Sequence, residues 1–129
     1  MSAHLFVYGT LQPAHAPAGL AHVVSKLRPI GEGFVNGILY DLGEYPGAVL
    51  NPDSKHRIAG TVFRLPDDPS VLRTLDAYEE FDPDEPGASL FLRVAYPVAL
   101  ESGGTLECWI YVYNRDPGSA PIFPDGKFQ

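Results

Sequence analysis

Two alternating runs joined by a pair of glycines limit the folds open to this chain more than any other feature. Over 90–100, Leu90, Leu92, Val94, Tyr96, Val98 and Leu100 fall on one face of an extended strand, with Phe91, Arg93, Ala95 and Ala99 on the other. Gly103 and Gly104 make a hairpin turn. Over 105–113 the pattern resumes: Leu106, Cys108, Ile110 and Val112 share one face, and Trp109, Tyr111 and Tyr113 the other. A period of two on both sides of a glycine turn predicts an antiparallel hairpin.

Shorter strands are predicted over 5–8, 34–42, 48–50 and 58–65, where apolar, aromatic and β-branched residues cluster between turn residues. Gly60, inside one of them, suggests a bulge or a close backbone approach. Leu20, Val23, Val24 and Leu27 recur at helical spacing and predict a helix over 17–27, with Pro17 in its first turn and Pro29 and Gly31 ending it. A second helix is predicted from Asp68, as cap, and Pro69, at the first position, to about Glu80. An acidic, proline-rich loop over 81–88 follows it. Thirteen glycines and thirteen prolines in 129 residues imply many turns and short elements. Strands and helices do not alternate as in a parallel α/β chain, and hairpin connections dominate. The fold class is therefore α+β: a small mixed, mostly antiparallel β-barrel with flanking helices. One domain is expected over 1–129, with 115–129 an irregular, weakly ordered tail.

A formal net charge of −7 argues against nucleic acid or an anionic membrane surface as partner. No apolar run approaches the length of a membrane span, and the N-terminal residues lack the basic and apolar regions of a secretory signal. Cys108 is the only cysteine, so no internal disulfide forms and a cytoplasmic location is expected. Cys108 reads as a buried core thiol. His4, His15, His22 and His56 show no metal-ligand spacing, so neither a metal site nor a cofactor is expected.

Two stretches carry candidate chemistry. The first strand breaks at Tyr8-Gly9-Thr10-Leu11. A strand ending this way presents consecutive backbone N–H groups without ladder partners, which can cradle an anion or a developing oxyanion; a plain strand-to-turn transition is the alternative. On a wheel of the second helix, Val71, Leu72, Leu75 and Tyr78 define the buried stripe. Glu79 falls within it, Asp76 at its edge and Glu80 nearly opposite. One carboxylate then points inward. Either Glu79 pairs with Arg93 or the helix frays before it, or Glu79 is a general acid or base whose pKa is raised by desolvation.

Tyr8-Gly9-Thr10-Leu11 near the start, followed by Leu75-Asp76-Ala77-Tyr78-Glu79, resembles the γ-glutamylcyclotransferase-like (AIG2-like) family. Strand 34–42 with Gly43-Glu44-Tyr45-Pro46-Gly47, and Ser89-Leu90-Phe91-Leu92-Arg93, are similar to further segments of that family. The likeness covers roughly residues 4–113. It implies a small barrel with flanking helices and a small γ-glutamyl compound as partner. The implied reaction is attack of the γ-glutamyl α-amine on its own γ-amide carbonyl, releasing pyroglutamate (5-oxoproline) and a free amine. Tyr8, Gly9, Thr10 and Leu11 would then form the substrate loop and Glu79 the acid/base. Where the family commonly has Glu-Gly, this chain has Glu79-Glu80; register favours Glu79, with Glu80 a rival. Its Tyr-Arg-Arg-like run becomes Phe91-Leu92-Arg93, which leaves Arg93 as the cationic substrate contact. Tyr113, with Tyr111, either lines the cavity or packs the sheet. A non-catalytic binding or interaction module of the same fold is the competing function.

Overall fold

The computed structural model describes residues 3–8, 20–43 and 45–127. Its elements are β1 (His4–Val7), α1 (Ala21–Val24), β2 (Arg28–Asp41), β3 (Pro46–Leu50), β4 (Arg57–Arg64), α2 (Pro69–Tyr78), a 3₁₀ turn at Pro86–Ala88, β5 (Phe91–Leu100) and β6 (Thr105–Tyr113). The strands form one sheet in the order β3-β2-β4-β1-β6-β5. Pairing of Gly33 with Leu100 and Phe34 with Ala99 joins β2 to β5 and closes the barrel, with β3 appended to β2. Every pairing is antiparallel except that of β1 with β6. The expected fold class is the one observed, and the hairpin over β5 and β6 turns at Gly103 and Gly104, both at positive φ.

Glycine makes the closure possible. Gly33 pairs across to Gly60 on β4. A Cβ at Gly60 would sit 2.4 Å from the Val7 carbonyl oxygen and 2.8 Å from the Phe6 ring. This is the close approach that the lone glycine in that strand suggested. A Cβ at Gly33 would meet Val98 Cγ1 at 2.7 Å.

The sheet is apolar on both sides because it separates two cores. Phe6, Val35, Ile58, Val62, Cys108 and Ile110 belong to the first. Leu5, Val7, Phe63, Val71, Leu75 and Tyr111 belong to the second, in which residues of both helices pack against the sheet. Leu5, Phe6, Val7 and Tyr8 alternate between the two cores, so each side chain from Leu5 onward is apolar or aromatic. Each large apolar side chain so buried contributes about 1.5–3 kcal/mol. Cys108 is fully buried, and its thiol is pushed up to about 11 by burial and, to a lesser extent, by Glu107. It is an inert core thiol.

Three segments differ from expectation. The described part of the helix expected over 17–27 holds only Ala21–Val24 in α-helix. Pro29 and Gly31 do not end that helix in a loop. They lie inside β2, which starts at Arg28, and the register shifts between them. A bulge tolerates the missing proline N–H, which a regular ladder does not. The described residues over 115–127, part of the expected weakly ordered tail over 115–129, are irregular but tied to the barrel. Asp41 N–H donates to Pro121 O (2.7 Å), Phe123 N–H to Leu39 O (2.8 Å) and Ala59 N–H to Gly126 O (2.8 Å). Gly126 has φ +65°, and a Cβ there would collide with the Arg57 carbonyl.

Both ends of α2 are capped. The Asp68 carboxylate accepts from the Ser70 N–H (2.9 Å) and hydroxyl (2.7 Å), with Pro69 at the first position, as predicted. At the other end Phe81 N–H donates to Asp76 O (2.9 Å) and Glu80 N–H to Ala77 O (3.2 Å), a Schellman turn. That turn needs a left-handed residue at its fifth position, and Glu80 supplies it at φ +56°. A side chain there costs about 1 kcal/mol that glycine avoids. Glu80→Gly is therefore expected to stabilise the fold by about 1 kcal/mol, read as a higher urea midpoint at unchanged slope.

Candidate active site

The Schellman turn decides where the two neighbouring glutamates go. Glu79 is the C-cap residue, with φ −81° and ψ 4°, and its N–H still bonds to Leu75 O at 2.9 Å. It keeps the helical direction and is half-buried. Glu80, left-handed, is exposed and lines a depression of about 360 Å³ with Phe81, Asp82 and Glu85. Of the two rivals, Glu79 is the inward one.

Burial pushes the Glu79 carboxyl from its usual 4.5 up to about 7. Among the described residues no hydrogen bond to this carboxylate is made. Its charge reaches two hydroxyls. Tyr8 is raised far above the ordinary tyrosine range by burial first and by Glu79 second, with the Ala48 backbone opposing. Tyr111 is raised by burial, by its hydrogen bond to Asp76 and by the charges of Asp76 and Glu79.

Arg93 does not pair with Glu79. Its Nε donates to Asp76 Oδ1 (2.8 Å) and its Nη2 to Asp76 Oδ2 (3.1 Å), a two-pronged ion pair. The Tyr111 hydroxyl donates to the same Oδ1 at 2.6 Å. The guanidinium also lies over the rings of Trp109 (4.4 Å) and Phe81 (5.7 Å). Asp76, placed by the wheel at the stripe's edge, is only 6% exposed, whereas Tyr78, placed within the stripe, is 38% exposed. The helix thus turns two carboxylates inward rather than one. β5 and β6 supply the cation and hydroxyl that make the edge position a buried one. The sequence signal for this was the Asp76/Glu79 spacing of three residues, which puts both on neighbouring parts of one helix surface.

The remaining expected site residues divide as follows. Tyr8 is buried, and its hydroxyl donates to the Tyr111 carbonyl oxygen, so its one polar hydrogen is committed to the sheet. Tyr113 ends β6, half-buried, with its ring 5.6 Å from Phe91, which in turn lies 5.7 Å from Tyr45. Gly9, Thr10 and Leu11 lie outside the described residues. Among the described residues no group of three or more His, Cys, Asp or Glu is arranged to hold a metal ion. None of their helices is long and apolar enough to cross a membrane.

A closed barrel with helices packed outside it is the fold of γ-glutamylcyclotransferase-like proteins. The chain belongs to the family described as gamma-glutamyl cyclotransferase, AIG2-like, which it matches over residues 5–129. A relative from Niallia circulans, the gamma-L-glutamyl-butirosin B gamma-glutamyl cyclotransferase, is 34% identical over 128 residues, covering 96% of this chain and 75% of that protein. The crystal structure of an AIG2-like protein from Mus musculus superposes with a TM-score of 0.76 at 25% identity, over 98% of this chain and 88% of the other. YkqA from Bacillus subtilis shares the fold with a TM-score of 0.72 at 22% identity; this chain spans 40% of that longer one.

The raised Glu79 carboxyl has a consequence for stability. Below about pH 4.5 it is protonated in both folded and unfolded chains and makes no difference. Between 4.5 and about 7 the unfolded chain ionises while the folded one keeps its proton, so stability falls as pH rises. Above that range the loss is complete, at most about 3 kcal/mol. Glu79→Gln is expected to unfold at a higher temperature than the parent at pH 8 and at the same temperature at pH 4, measured by thermal melts across that range.

Proposed function

We propose that this protein is a cofactor-independent γ-glutamylcyclotransferase acting on a small γ-glutamyl compound. The observation that carries the reading is Glu79, a half-buried carboxyl with no cationic partner among the described residues, pushed up to about 7 at the end of a capped helix. A group titrating there holds a proton weakly enough to release it and strongly enough to recover it near neutral pH.

The chemistry needs little else. The α-amine of the γ-glutamyl group attacks its own γ-carbonyl carbon, forming a C–N bond and a five-membered ring. Holding the chain bent toward that ring supplies much of the rate through orientation alone. Glu79 takes the proton released by the attacking nitrogen. The tetrahedral oxyanion would be held by backbone N–H groups of the sequence Tyr8-Gly9-Thr10-Leu11. Collapse breaks the original amide bond, and Glu79 returns the proton to the departing amine. The products are pyroglutamate and the free amine, and no water is consumed. Tyr8 takes part through its backbone, since its hydroxyl is engaged by Tyr111. Arg93 gives Nε and one Nη2 hydrogen to Asp76, so a substrate would meet the Nη1 side of its guanidinium. Tyr113, in the aromatic group with Phe91, forms part of the wall. The Niallia relative's name also describes removal of a γ-glutamyl group, in its case from butirosin B.

Incubation with a panel of γ-glutamyl amines and peptides is expected to yield pyroglutamate by mass spectrometry. Its rate should rise with pH through an apparent pKa near 7 and fall roughly 10²–10⁴-fold in Glu79→Gln. Glu80→Gln should retain the parent rate. A γ-glutamyl compound N-acetylated on its α-amine should not turn over. Release of N-acetylglutamate from it would identify a hydrolase instead, and binding without any product would identify a binding module.

A further inference from the structure

We propose that Asp76, gripped by Arg93 and Tyr111, is a positioning residue that sets Glu79 against the Tyr8 end of β1. This inference rests on the reading of Glu79 as the proton carrier. Arg93 and Tyr111 face each other directly across β5 and β6. Their side chains therefore leave the same face of the sheet, and both converge on one carboxylate. Asp76 is engaged through its main chain as well. Its carbonyl oxygen accepts the Phe81 N–H that closes the Schellman turn, and Glu79 lies inside the loop so closed. Phe81 in turn lies beneath the Arg93 guanidinium. The same pair of strands thus holds the helix end through the Asp76 side chain and the cap through Phe81.

Tyr111 extends the connection to the other half of the site. Its hydroxyl holds Asp76, and its carbonyl oxygen accepts the Tyr8 hydroxyl, just past the end of β1. A single residue of β6 therefore fastens both segments between which a substrate would sit. Any shift of α2 along the barrel must break the Arg93–Asp76 pair or the Tyr111 hydrogen bond, since each is directional. Apolar packing of Val71 and Leu75 alone permits sliding. Among the described residues, Asp76 is met by Arg93 from β5 and Tyr111 from β6, and Glu79 on the same helix acts on Tyr8 and Tyr111.

The test compares Tyr111→Phe and Asp76→Asn with the parent in two measurements. One is kcat and KM for pyroglutamate release. The other, which needs no turnover, is the ¹³C titration of the Glu79 carboxyl. With the clamp loosened, Glu79 drifts toward water, so its midpoint should fall from about 7 by about half a pH unit or more. Loss of alignment should lower kcat about tenfold with KM little changed. Tyr111→Phe keeps the ring and its packing, so it remains informative if Asp76→Asn does not fold. Parent values of kcat, KM and Glu79 midpoint in Tyr111→Phe would overturn the inference, leaving Asp76 a purely structural ion pair, even with a lowered melting temperature. Absence of pyroglutamate from the parent itself would instead end the cyclotransferase reading. The positioning claim would then be judged on the titration alone, where an unmoved midpoint rejects it.

Discussion

A carboxylate taken out of water must be matched by donors and a cation or hold its proton more tightly, and α2 carries one example of each. Asp76 is matched: three hydrogen bonds from Arg93 and Tyr111 converge on its two oxygens. Glu79, one helical turn further on, has no such partner among the described residues and is pushed up to about 7. The contrast is produced by the sheet behind them. β5 and β6 deliver a guanidinium and a phenol to one position of the helix and not to the other. Two inward carboxylates three residues apart thus meet different surroundings, one ion-paired with Arg93 and the other raised by burial.

That arrangement depends on a sheet with two apolar sides. Because β1 and β6 feed alternate residues into separate cores, α2 can be fixed by Val71 and Leu75 on one face while Phe6 and Ile110 fill the other. Tyr8 and Tyr111 sit where those layers meet. Each has a ring in one core, and the Tyr8 hydroxyl reaches across to the Tyr111 carbonyl. The glycines at positions 33 and 60 let the strands come close enough to close the barrel. The Schellman turn then ends the helix where Glu79 still faces inward, at the expense of a left-handed Glu80.

Much of this was legible in the residues. The β5–β6 hairpin, the Asp68 and Pro69 helix start and the inward direction of Glu79 follow from period, capping and wheel geometry. Gly60 was singled out for close approach, and the Val7 carbonyl lies where its Cβ would be. What sequence reasoning missed was tertiary. A helical wheel treats an edge position as half exposed, but Asp76 becomes buried once Arg93 and Tyr111 close over it. Arg93 was read as a partner of Glu79 or of a substrate, because nothing in a linear sequence says which of two nearby carboxylates a strand residue opposes. Pro29 and Gly31 carry the same residue types in a bulged strand as in a helix stop. The hydrogen bonds by which Pro121, Phe123 and Gly126 meet the barrel use backbone groups, which leave no side-chain pattern.

The proposed mechanism requires that Glu79 exchange its proton near neutral pH, because burial raises it to about 7. Selective ¹³C labelling of glutamate side chains, with Glu79 assigned by comparison with Glu79→Gln, reads that property directly as a titration curve. A midpoint near 7 is expected for Glu79. A midpoint at the ordinary 4.5 would show a solvated carboxylate and contradict the assignment of Glu79 as the proton carrier.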